Sequence, residues 1–228
     1  MGAMVRHEQK SSSDSVQAKD MCNKYVTLLS DDAAVSWIRT HGKQSTSDAR
    51  LVAEIFRKGT TDRCGGESEF LHGYVQPGCT FKTDVPKMGP CQNDFRDKQG
   101  LKFSDPPTTS ALVSMIPMPL LKSLNMSMAE QVEFLFDFAY KKGLPDICKI
   151  SFGSPVHIAA MAMAHLHATG RDILKDWQVR TDTVDLDGDR VVLNRRNGKL
   201  ICGVLDQDRY RLPNTGVFMV GVISNVKP

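Results

Sequence analysis

At 228 residues with 41% hydrophobic side chains, the chain is long enough to bury its own core without disulfide or metal staples. A net charge of +3, from 29 basic and 26 acidic residues with no run of five or six like charges, admits contact with nucleic acid or an acidic protein surface and excludes a polyionic tail. No stretch approaches the roughly 18 to 20 apolar residues that a membrane-spanning helix requires, so a soluble protein with no membrane partner is expected. The six cysteines (Cys22, Cys64, Cys79, Cys91, Cys148 and Cys202) follow irregular spacings with no Cys-x-x-Cys pair. That usage reads as free thiols in the cytoplasm or another reducing compartment.

Residues 1–14 are polar, lack the apolar core of a signal peptide, and read as a flexible arm or an expression remnant. Residues 15–228 then form a single α+β domain, helical in its N-terminal and central parts and ending in an antiparallel meander of about four strands. Ser15 to Leu29 is predicted as a helix with Met21, Tyr25, Leu28 and Leu29 inward. Ser30 caps a second helix whose first turn carries two aspartates, favoured by the helix dipole, and whose Val35 and Ile38 share a face. Ser47 caps a third, with Leu51, Val52, Ile55 and Phe56 as its apolar stripe, and the two make a helical hairpin.

From 60 to 107 Gly, Pro, Asp and Lys become dense and no helical period survives. This is expected to be a long irregular loop region with only short strands at Tyr74–Val75 and Cys79–Phe81, and loops of that length are often functional. "TTSALVSMI" from Thr108 is predicted as a helix stopped by Pro117. Ser127 and Glu130 form a capping box for a helix with Met128, Val132, Leu135, Phe136 and Ala139 on one stripe. Phe134 and Phe138 fall outside that stripe, which suggests a central helix buried on two sides. Ser154 as N-cap, Pro155 at the first helical position and Gly170 as the stop bound a helix of about fifteen residues. Residues 178–205 read as a three-stranded meander with an Asn-Gly turn, and "GVFMVGVIS" adds a fourth strand.

Three histidines lie in the 155–169 helix, where His165 and His167 point to nearly opposite sides and cannot share a metal with His157. His157, in the first turn, is placed where the dipole disfavours protonation, which suits a general base. The exposed amides after Ser154 offer an anion site. Cys64, beside Arg63 and two glycines, is the best nucleophile candidate. With His157 and either Asp185 or Asp187 it would have the chain order of papain-like enzymes. Cys64, His72, Cys79 and Cys91 form a weak metal quartet whose gaps of seven, six and eleven residues fit no common zinc module. "VDLDGDRVV" resembles the front of an EF-hand loop, but no Glu closes it, so a hairpin turn is expected. Arg195, Arg196 and Lys199 at a hairpin tip are candidates for phosphate or acidic-partner contact.

Two functional classes follow. The first, preferred because no specific catalytic motif is found, is an assembly or binding protein without cofactor, coat-like or nucleoprotein-like, forming homo-oligomers and contacting nucleic acid or an acidic surface. The second is a cysteine-nucleophile hydrolase or deamidase of the bacterial effector kind.

Overall fold

The computed structural model describes residues 12–41, 47, 48, 50–52, 54, 71–93, 105–117, 120–142, 148–205, 211–217 and 220–224. The architecture is α+β, built on two five-stranded sheets. The chain opens with α1 (Ser12–Tyr25), which buries Ala18, Cys22 and Tyr25 at helical spacing. The predicted helix does not continue to Leu29. Residues 26–29 form β1 (Val26–Leu29), antiparallel to β2 (Leu71–Val75), and Gln76 donates its N–H to the Tyr25 carbonyl where helix becomes strand. Pairing with a distant strand overrides local helix propensity here.

Helix α2 (Asp31–His41) starts as predicted, with the Ser30 hydroxyl accepting from Ala33 N–H at 3.3 Å and Ala34 and Ile38 buried. Residues 50–52 are helical and Val52 packs into the same cluster as Ile38, while Ile55 and Phe56 lie outside the described residues.

The 60–107 region is more ordered than its composition suggests wherever it is described. Besides β2 it supplies the short α3 (Val85–Met88) and β3 (Cys91–Asn93). Cys79–Phe81 is not a strand. Two carboxylates hold that stretch in turns: Asp84 accepts from Thr80 N–H and hydroxyl at 3.0 and 2.9 Å, and Asp105 accepts from Phe81 and Lys82 N–H at 2.8 Å each.

The helix predicted from Thr108 is instead β4 (Ala111–Met115), a strand buried at every position. Short apolar runs do not distinguish buried strand from buried helix by period. Here β2 and a C-terminal strand, β10 (Val220–Ser224), pair with it on both sides. With β5 (Lys149–Ser151) the first sheet runs β1-β2-β4-β10-β5, antiparallel throughout. The second sheet contains the predicted meander, β6 (Gln178–Val184), β7 (Arg190–Arg196) and β8 (Lys199–Leu205). It is flanked by β3 and the two-residue β9 (Thr215–Gly216), each parallel to its neighbour. The expected fourth strand therefore exists as β10 but belongs to the other sheet.

Between the sheets lies α5 (Pro155–Thr169), touching β1 and β2 of one and β6 and β7 of the other. Ten of its first eleven residues, all of Pro155–His165 except His157, are buried, as expected of a helix that is apolar all round. Met161 sits on Gly73 of β2, where any Cβ would collide with its sulfur. Glycine at that position lets helix and strand approach closely. The role of doubly buried central helix thus belongs to α5 and not to α4 (Met128–Lys142), which packs with α2 on the outer face of the first sheet.

Candidate functional site

At the start of α5 the Ser154 hydroxyl accepts from His157 N–H at 3.4 Å and lies 2.8 Å from His157 Nδ1. The other ring nitrogen, Nε2, is buried without a hydrogen-bond partner among the described residues. Burial pushes the imidazole pKa down to about 4 through desolvation, so the ring is neutral near pH 7. The proposed orienting aspartates do not reach it. Asp185 Oδ1 instead accepts from Asp187 and Asp189 N–H at 2.9 Å each, closing the β6–β7 turn, and Asp187 stands exposed on that turn. Cys64 lies outside the described residues, so of the predicted triad only His157 and the aspartates are placed, and they are not joined. Nor does Ser154 head an open anion site. Its hydroxyl is engaged with His157, and the cavity of about 270 Å³ that it lines carries the Asp105 carboxylate on its wall. A fixed negative charge there disfavours an anion.

The metal quartet is also dispersed. His72 alternates with Leu71 and Gly73 along β2 and faces α2. Its Nδ1 lies 2.6 Å from Ser114 Oγ, and its Nε2 lies 3.3 Å from Asp31 Oδ1. Cys79 and Cys91 lie on the opposite side, in the core between the sheets. Burial raises their thiols to about 12 and about 11. Among the described residues no group of three His, Cys, Asp or Glu is placed to hold a metal. His167 Nε2, which must carry the proton, donates to the Met88 carbonyl at 2.8 Å.

The chain Asp31–His72–Ser114 has the composition of a hydrolytic triad and was not legible in the sequence, because β2–β4 pairing brings together residues 42 positions apart. Its geometry speaks for a structural tie. Ser114 is buried in the centre of a sheet, beyond reach of a substrate, and the hydroxyl and carboxylate sit on the ring nitrogens opposite to the catalytic arrangement.

Of the three predicted cations, Arg195 does not project from the tip. Its Nε lies 3.4 Å from Asp172 Oδ2, its Nη2 donates to the Gly198 carbonyl at 2.9 Å, and its side chain is only 11% exposed. Arg196 and Lys199 are exposed on either side of the Asn197-Gly198 turn, both of whose residues have positive φ as the sequence requires.

The most unusual surface is on α4. Ser127 and Glu130 form the predicted capping box, with the Glu130 carboxylate accepting from both Ser127 N–H and hydroxyl at 2.8 Å. The buried stripe, however, is Met128, Gln131, Leu135 and Phe138. Gln131 is drawn inward by the fully buried Arg180, whose Nη1 donates to Gln131 Oε1 at 2.6 Å. Gln131 Nε2 in turn donates to the Ser123 carbonyl at 2.7 Å. This rotation leaves Val132, Phe136 and Tyr140 on the outside at 49%, 70% and 79% exposure. Three large apolar side chains one helical turn apart form a continuous exposed stripe of the kind that marks interaction surfaces.

Among the described residues no helix is long and apolar enough to cross a membrane. Comparison with protein-family models, curated proteins and solved structures finds no match.

Proposed function

We propose that the protein is an assembly module that binds a second copy of itself through the outer face of α4. The observation that carries this reading is the exposed stripe Val132, Phe136 and Tyr140. Its three positions are symmetric about Phe136 and span about 12 Å along the axis. Two copies of α4 laid antiparallel on a two-fold axis through Phe136 would set Val132 of each against Tyr140 of the other. A contact of this length is small, which places self-association in the weak range, about 10 µM to 1 mM.

Nucleic-acid contact is less well supported. With Arg195 committed to Asp172, it would rest on Arg196 and Lys199, a pair that neutralises only about two phosphates. The cysteine-hydrolase alternative draws no support from His157, whose ring is turned to Ser154.

Sedimentation velocity across about 5 to 500 µM tests the proposal. The weight-average mass of the wild type should rise with concentration, and Phe136→Asp should stay monomeric with an unchanged far-UV spectrum. A monomeric wild type throughout, or a variant that associates equally, overturns it.

A further inference from the structure

The first sheet ends at β1, and one side of that strand is open. Gln76 donates its N–H to the Tyr25 carbonyl at 2.8 Å, and β1 pairs with β2 in the register Thr27↔Tyr74 and Leu29↔His72. Antiparallel pairs alternate, so Thr27 and Leu29 turn their backbone groups to β2 while Leu28 turns its N–H and C=O to the open side. Neither group of Leu28 has a partner among the described residues. We propose that this edge takes up an extended peptide of another protein, carrying an acidic side chain, as a sixth strand of the sheet. A donor and an acceptor left unpaired in strand geometry are complementary to extended polypeptide. The devices that blunt an edge are missing from β1: its sequence "VTLL" has no proline and no charge, whereas β5, at the sheet's other edge, carries the exposed Lys149.

The acidic preference follows from what stands beside the edge. A cavity of about 340 Å³ adjoins it, lined by Val26, Thr27 and Leu28 of β1, Lys19 of α1, and Ala164 and Ala168 of α5. The two alanines leave room for a side chain descending from an added strand. Lys19 is exposed and forms no ion pair among the described residues, and no Asp or Glu among them lines the cavity. Its ammonium is therefore an uncompensated charge that a carboxylate on the incoming strand would meet. A second copy of β1 fits less well, because "VTLL" brings no carboxylate to Lys19.

Amide hydrogen exchange, read residue by residue by NMR, tests the edge first. In the free protein the Leu28 N–H should exchange at least about ten-fold faster than those of Thr27 and Leu29, and equal protection at the three overturns the open edge. Random peptides of about eight residues, displayed on phage and selected on the immobilised protein, then test the occupant. Those enriched should alternate β-branched with polar residues and share one Asp or Glu. Added as a synthetic peptide, the enriched sequence should slow exchange at Leu28 and leave Leu135 of α4 unchanged. Leu28→Pro removes the outward N–H at a position where an edge tolerates proline, and should weaken binding about ten-fold; Lys19→Glu should weaken it about five-fold. No enriched sequence, or one that binds without protecting Leu28, overturns the site. Equal binding to Lys19→Glu overturns the acidic preference. Leu28 protection that grows with protein concentration before any peptide is added would give the edge to a second copy and overturn the proposal as well.

Discussion

Protonating His157 should unfold the start of α5, and the structure sets the scale. His157 is half-buried, its Nδ1 faces the Ser154 hydroxyl at 2.8 Å, and its buried Nε2 has no hydrogen-bond partner among the described residues. Its pKa falls from an ordinary 6.5 to about 4 in the folded chain. Between those two values the unfolded chain takes up a proton that the folded one refuses, so stability rises with pH across this window. The contribution is complete above about pH 6.5, is lost as the pH falls, and levels off below about 4. At 1.36 kcal/mol per unit the full loss is about 3 kcal/mol. Urea denaturation from pH 7 to 4.5 on the wild type and on His157→Gln, which cannot titrate, isolates this group from the carboxylates. The wild type should lose stability faster than the variant by about 1 kcal/mol per pH unit. Parallel curves for the two proteins, or a His157 ring that titrates at pH 6 or above by NMR, would refute the reasoning.

Gly73→Ala should cost about 2 kcal/mol, because the new Cβ meets Met161. Combined with Met161→Ala in thermal denaturation, the pair should cost less than the sum of the two singles. Gln131→Ala removes an acceptor from buried Arg180 and a donor from the Ser123 carbonyl. It should lower the urea-derived stability by about 3 kcal/mol, and a loss under about 1 would contradict the network. Arg195→Ala should destabilise measurably through loss of its contacts to Asp172 and Gly198, whereas exposed Arg196→Ala should leave the unfolding midpoint unchanged.

What the sequence revealed follows the range of the forces involved. The boundaries of α5 were legible because Ser154, Pro155 and Gly170 act on their own neighbours, and Gly170 does take the left-handed conformation, with φ 74°. The Ser127–Glu130 box and the Asn197-Gly198 turn are local in the same sense. By contrast β1 and β4 were hidden, since what makes Val26–Leu29 and Ala111–Met115 strands is pairing with partners far along the chain. The outward face of α4 was misread for a related reason. Apolar periodicity puts Val132 and Phe136 inward, and only Arg180, 49 residues away, explains why Gln131 takes the buried position. The His72 contacts were equally illegible, since the histidine looked like a partner for cysteines that lie across the sheet from it.

The central claim, that α4 meets α4 antiparallel about Phe136, is tested most directly by photocrosslinking from p-benzoylphenylalanine placed at position 136, which keeps an aromatic side chain on the stripe. Mapped by mass spectrometry at a protein concentration where association is expected, the crosslink should join two chains and land on the 132–140 segment of the second copy. Crosslinks confined within one chain, or landing on another surface of a second copy, would contradict it.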